Sequence, residues 1–588
     1  MKRVVLVLLA VLAAVAAAPR RADAASCTLP YKPPLWIDFA DGAVPFWPLF
    51  AQPGVIAASS SFVVPQQQRA RGATTVFFDL HLPTRVGTPT EPFDPALVIS
   101  RANRLYDYAA ASMGCSTPII AENELFGAGT QTPWSAGNAL YRANVLLFLR
   151  LLAQRGARPE LLVSSTPYTG GDAADWWRQV ARVADVVREV YFPAPKLYAQ
   201  GPIVSSRTLR QAFRKAAADF IAIGIPTSRL GIMLGFQTGP GFGGREQLEP
   251  AQAWFEVVKL QALAARVVAR ELRLGTVWSW GWGVWTKQAD DPDKPAAACV
   301  WLWARDPKLC DGVTAGGSGF DASLTEGQPI FRRGVRCTVG AQPVRWDTAS
   351  AISRVVGDAQ ASFTATYGRA VAALYAPLKP QRILDTEKAI IAMRFHGSRA
   401  AYAAALRQAH ATLSAARGVI GDELRRARIQ TGLRVASPTE AAIESYYATY
   451  AATQVRFVQA SPAPTWLGGR GRGFALASIA PPQLFDLPAG KQVTVRTMLG
   501  DYTVRAYGQP MTLGQLPLST ARPAIRAALV ALARGDAYEA WLLAHESGLL
   551  DQTVCWRDQL PAVDVVPLTD YLPFLVLDEG AAGTSAIR

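Results

Sequence analysis

Thr117-Pro118-Ile119-Ile120-Ala121-Glu122 is a short apolar run closed by Asn123-Glu124, and how this stretch is read decides the fold. A run of this length, rich in β-branched and small residues and opened by proline, predicts a buried strand over 117–123. Seven further runs share its character, at 35–39, 54–59, 74–80, 160–166, 187–193, 230–236 and 275–281. Helical periodicity fills most of the gaps, at 95–113, 136–155, 172–186, 206–224 and 250–272. Phe213, Ala217, Phe220 and Ile221, for example, share one helical face. Eight strand–helix units over about 250 residues match the size of a closed (β/α)₈ TIM-like barrel. A doubly wound open sheet is the structural rival.

At 588 residues the chain exceeds one ordinary core, which predicts two or three domains. Half of its residues are apolar and 10% aromatic, which excludes general disorder. Lys2-Arg3, an apolar run from Val4 to Ala18 and the small-residue pattern Ala22-Asp23-Ala24 predict a signal peptide over 1–24. The expectation is a secreted or extracytoplasmic envelope protein with no membrane span after cleavage. Cys27 follows the cleavage pattern, but Ala24-Ala25-Ser26-Cys27 lacks the large aliphatic that precedes a lipid-anchored cysteine. Six cysteines in an exported chain predict disulfides, and Cys299 with Cys310 is the expected pairing. With no Cys-x-x-Cys and four histidines in all, no metal and no cofactor are expected. The net charge of +15 favours anionic surfaces or polymers. Gly468-Gly469-Arg470-Gly471-Arg472-Gly473 is read as a solvated hairpin loop, since export argues against a nucleic-acid partner.

The 301–345 stretch, with much of 286–300, is irregular and rich in Gly, Asp and Pro, and is read as loop and linker after a barrel over 30–300. A helical region follows over 346–452, including Ser437-Pro438-Thr439-Glu440, a capping box with proline at the first helical position. A small β-rich unit is predicted over 453–515, with strands at 454–459, 473–478, 491–498 and 501–507. Closing helices and a tail occupy 516–588, with a helix pair expected over 521–547.

Asn123-Glu124 at the end of the fourth strand and Val277-Trp278-Ser279-Trp280-Gly281-Trp282 on the eighth make residues 30–300 resemble (β/α)₈ glycoside hydrolases of the Asn-Glu retaining clan. That resemblance implies Glu124 as general acid/base, Asn123 on a sugar hydroxyl, and a platform from Trp278, Trp280 or Trp282. By period two the three indoles would share one strand face. The chain departs from the clan on the seventh strand, where Gln237 stands in place of the nucleophilic Glu. An amide forms no stable glycosyl ester and carries no charge to steady an oxocarbenium-like transition state. Glu246 and Glu249 substitute only if the Gly239–Gly244 loop folds back. Glu122 and Glu124 are two apart, so both are expected to point into the mouth and raise one another's pKa. Asp79 and His81, with Asp38, lie at other predicted strand ends and would complete a polar, substrate-binding cluster.

Pro438–Tyr447 with its paired tyrosines, the strands Val493-Thr494-Val495-Arg496-Thr497 and Tyr502-Thr503-Val504, and the helix Ala537–Leu542 resemble periplasmic folding factors of the SurA/PrsA type with a parvulin-like unit. Parvulins use histidines on their central strands, where this chain has Arg456-Phe457-Val458 and Tyr502-Thr503. The resemblance therefore implies a polypeptide-holding module without isomerase activity. The joint expectation is a barrel that engages a polysaccharide without hydrolysis and a module that engages unfolded or envelope polypeptides. The alternatives are an active glycoside hydrolase using Glu124 with an unidentified second carboxylate, and a folding factor whose barrel is structural.

Overall fold

In the computed structural model, residues 27, 29, 32–123, 125, 136–239, 244–283, 291–310 and 334–577 are described. The predicted signal peptide, Glu124 and most of the glycine loop (240–243) lie outside them. The chain divides into two compact units, Met1–Gln328 and Pro329–Arg588.

The first unit is a closed barrel of eight parallel strands in sequence order. They are β1 (Leu35–Phe39), β2 (Ile56–Ser59), β3 (Thr74–Asp79), β4 (Ile119–Glu122), β5 (Arg158–Val163), β6 (Asp185–Glu189), β7 (Leu230–Gly235) and β8 (Thr276–Trp280). β8 pairs with β1 through Leu35↔Thr276 and Ile37↔Trp278, which closes the ring. The helices around it are α1 (Val64–Ala70), α2 (Pro83–Val86), α3 (Pro95–Met113), α4 (Ala139–Gln154), α5 (Asp172–Val183), α6 (Ala194–Ala222), α7 (Ala251–Leu272) and α8 (Lys294–Arg305). α3 shows why these segments start and stop where they do. Asp94 accepts from the Ala96 amide, Pro95 opens the helix, and Gly114 ends it at φ 66°. α6 begins earlier than its periodicity predicts and kinks at Gly201, before Pro202.

Side chains alternate between two cores. Ile37, Phe39, Phe78, Ile119, Ala121, Leu162, Val187, Met233 and Trp278 fill the lumen. Phe77, Ile120, Leu161, Val163, Val186 and Ile232 face the helices. The expected linker is corrected here. α8 belongs to the barrel unit and seats on β1, where buried Asp38 accepts from Trp301 Nε1 and Ser279 Oγ, both at 2.8 Å. Arg305 Nη1 completes the seat 2.8 Å from Asp38 Oδ2. Cys27–Cys115 and the expected Cys299–Cys310 are both disulfides. With Cys27 so engaged, its sulfur is not available to a lipid.

The second unit opens with β9 (Val335–Val339) and β10 (Gln342–Arg345), also inside the expected linker. Helices α9 (Trp346–Val356), α10 (Ala359–Tyr375), α11 (Pro380–Arg394), α12 (Arg399–Gln408), α13 (Leu413–Gly432) and α14 (Glu440–Thr449) follow. Next come β11 (Gln454–Ser461), β12 (Arg472–Leu476), α15 (Gln483–Asp486), β13 (Gln492–Arg496) and β14 (Asp501–Thr512), forming an antiparallel sheet in the order β12-β11-β14-β13. The expected closing helix pair is one long helix, α16 (Leu518–Leu549), because Pro523 falls within its first two turns, where few intrahelical bonds are lost. β15 (Thr553–Cys555) returns beside β9, and Cys337–Cys555 ties the two strands. Among the described residues no helix is long and apolar enough to cross a membrane.

Candidate functional site

The carboxyl ends of the barrel strands form the mouth, and strand parity decides which residues open on it. Glu122 shares parity with Ile120 and so lies on the helix side of β4, fully buried. The expectation that it joins Glu124 in the mouth is therefore corrected, and Glu124 itself lies outside the described residues. Asp79 has the same parity on β3, and Asp79 and Glu122 are register partners. Arg85 on α2 grips Asp79 with two bonds, Nε to Oδ2 at 2.7 Å and Nη2 to Oδ1 at 3.0 Å. Among the described residues no donor reaches either oxygen of Glu122. Burial, and then Asp79, hold its carboxyl well above the usual range, with Arg85 opposing weakly. Burial thus favours the neutral form of Glu122 beside Asp79, in a structural cluster behind the barrel wall. His81 is exposed, and its carbonyl accepts from the Thr84 amide at 3.0 Å.

Asn123, the residue after β4, continues the parity of Ile119 and Ala121. Its amide donates to the Leu80 carbonyl at 3.3 Å, and its backbone is fixed by Asp79 O and Leu82 N. Gln237 is buried at the end of β7. Its backbone is pinned by close approaches that only glycine permits. A Cβ on Gly244 would lie 2.0 Å from Gln237 O, and one on Gly281 2.7 Å from Gln237 N. Glu249 faces solvent and pairs with Arg245 at 2.7 Å, and Arg245 also holds Asp291 and Asp293.

The three indoles do not share a face. Trp278 is fully buried in the lumen, donating to Glu160 Oε2 at 2.8 Å and packing on Phe78 at 5.9 Å. It is barrel core. Gly281, at φ 90°, breaks the alternation after β8. Trp282 is consequently turned to the helix side, stacked on Phe236 at 4.4 Å and donating to Ser279 Oγ at 2.9 Å. Only Trp280 combines lumen parity with partial exposure.

Trp280 has a partner that sequence reasoning missed. Tyr191, just beyond β6, stacks on it with centroids 5.9 Å apart and planes 12° apart. Gly235 on β7 makes this possible, since a Cβ there would lie 2.7 Å from the Tyr191 ring. The phenol thus crosses the bare strand between β6 and β8. Its hydroxyl sits between Met233 Sδ, at 3.4 Å, and the carboxylate of Glu189, and burial with that carboxylate pushes it well above the usual range. Glu189 is the last residue of β6, half-buried, with the lumen parity of Val187. The mouth therefore holds a flat aromatic pair and one carboxylate braced by a phenol.

At the opposite end of the lumen, Glu160 lies beside Asp185 in the strand register. Burial, then Asp185, push its carboxyl up to about 8, against Arg158 and the Trp278 bond. Among the described residues no group of three or more His, Cys, Asp and Glu side chains is placed to hold a metal.

No family model and no curated protein matches this chain. Among solved structures it is similar to the spore cortex-lytic enzyme SleL of Bacillus megaterium QM B1551, at 11% identity over 48% of this chain and 75% of that one, with a TM-score of 0.29. The active domain 2 of the thermostable chitinase from Pyrococcus furiosus is matched at 11% identity over 48% of this chain and 97% of that one, also at 0.29. The D-psicose 3-epimerase of Clostridium cellulolyticum H10 is matched at 12% identity over 47% and 99%, at 0.28. Likenesses of this strength carry no argument, and the barrel rests on the pairing of its own eight strands.

Proposed function

We propose that the barrel engages a carbohydrate at its mouth without hydrolysing it, and that the second unit serves as a polypeptide-holding module of an exported envelope protein. The stack of Tyr191 and Trp280 carries the first half of this reading. Flat aromatic faces suit the C–H faces of pyranose rings and exclude water, while Asn123, Gln237 and Glu189 supply hydrogen-bonding groups around them. Gln237, pinned by Gly244 and Gly281, supports the absence of chemistry. Two features of the second unit support the holding role. A cavity of about 170 Å³ lies between α13, α16 and the small sheet, lined by Trp466, Met498, Tyr502 and Val530. Phe457 and Thr503 occupy the central strands β11 and β14, where the resemblance would place histidines.

The test is a panel of polysaccharides titrated into the purified protein, with released reducing ends measured in parallel. Binding that falls at least tenfold in Trp280→Ala, with no reducing ends released, is the expected result. A second reading, hydrolysis, has one observation in its favour, since Glu189 provides a mouth carboxylate on β6. Turnover by the wild type that disappears in Glu189→Gln and Glu124→Gln would establish that reading instead.

A further inference from the structure

The four-stranded sheet of the second unit has one covered and one partly open face. Val458, Ala460, Ala475, Val495, Val504 and Ala506 point into a core with Trp466 and Leu484. On the other face, Val455 and Leu476 are roofed by Ile443 and Tyr446 of α14. Beyond that roof the face is bare, and the pairing register arranges it in rows. Phe474, Phe457 and Tyr507 form the first row, all half-buried. Arg472, Gln459 and Arg505 form the next, all exposed. Ser461, Thr503 and Thr494 make a third row of hydroxyls.

The cations of the middle row are uncompensated. Arg472 lies over the Phe457 ring at 5.0 Å and the Tyr507 ring at 5.4 Å, which holds its guanidinium in place without neutralising it. Among the described residues, neither Arg472 nor Arg505 has a carboxylate partner, and the acid Asp501 on this face is already taken by Arg496 at 2.9 Å. Arg472 and Arg505 leave the backbone on either side of Gln459, two strand widths or roughly 10 Å apart at their Cα atoms.

We propose that this open face binds an anionic polysaccharide, with Arg472 and Arg505 on successive carboxylates or sulfates. Guanidinium forks match such groups in a bidentate way. The Ser, Thr and Gln side chains beside them match sugar hydroxyls, and the ring row matches a pyranose face. A polypeptide is disfavoured because sheets take peptides along an edge, whereas these groups stand on a face. A nucleic acid is disfavoured by the three disulfides, which suit an oxidising compartment. The site belongs to the second unit and does not rest on the reading of the barrel mouth.

The experiment titrates the full chain with polygalacturonate, neutral dextran, polyglutamate and single-stranded oligothymidylate at matched length and ionic strength. Polygalacturonate is expected to bind most tightly, with affinity that falls as salt rises. The Arg472→Ala/Arg505→Ala variant, whose thermal midpoint should match the wild type, is expected to lose at least tenfold. Equal affinity of the double variant, or polyglutamate or oligothymidylate binding as tightly as polygalacturonate, would overturn the assignment.

Discussion

Glu122 and Glu189 each close a barrel strand, yet they belong to different structures. Glu122 is sealed behind the wall with Asp79 and Arg85, without a solvent face, and burial favours its protonated form. Glu189, two strands further round, has lumen parity and stands half-buried beside Tyr191 and Trp280. The two acids differ in the side of the sheet each faces. A strand-end acid is therefore a site residue only when its parity agrees with the lumen.

The largest effect separates mouth from base. Glu160 has a folded pKa of about 8, above its unfolded value, so its stabilising contribution is complete below about pH 4.5 and lost as pH rises through 8. At 1.36 kcal/mol per unit this amounts to on the order of 5 kcal/mol. Denaturant unfolding of the wild type between pH 4 and pH 9 should show the decline, and Glu160→Gln should remove most of it. An unchanged slope in the variant would mean that the base of the lumen is not the titrating region.

Next in size is the glycine that sends Trp282 out of the lumen. Gly281→Val places a branched residue at φ 90° and a Cβ 2.7 Å from Gln237 N, which should cost about 3 kcal/mol of stability. A loss below about 0.5 kcal/mol would show that the chain after β8 does not need this turn. The direct form of the comparison is smaller. Glu189→Gln should weaken glycan binding about tenfold, near 1.4 kcal/mol, and Glu122→Gln should leave it within twofold. The reverse ranking would put the site behind the wall. The smallest effect belongs to Glu249, whose exposed pairing with Arg245 should contribute under about 1 kcal/mol. Glu249→Ala should change neither melting nor glycan affinity measurably, and a lost activity there would return the loop to the site.

The barrel was legible because a strand buried on both faces needs an uninterrupted apolar run, and all eight runs became strands. The candidate site was legible only in part. The sixth strand was expected over 187–193 but ends at Glu189, so an acid expected in mid-strand stands at the rim. The stacking of Tyr191 on Trp280 depends on Gly235 being bare, a relation across three strands that no local pattern carries. Period two was applied past the end of β8, where Gly281 cancels it, so Trp282 was placed on the wrong side. The four strands of the larger sheet in the second unit were legible, but α8 of the barrel unit and β9–β10 of the second were hidden in a stretch whose Gly and Pro content resembles a linker.

The most direct measurement is the equilibrium affinity of wild type, Trp280→Ala and Tyr191→Ala for the tightest glycan of the panel, with melting temperatures recorded alongside. The account predicts that both variants stay folded and lose binding at least tenfold. Folded variants that bind as tightly as the wild type would contradict it.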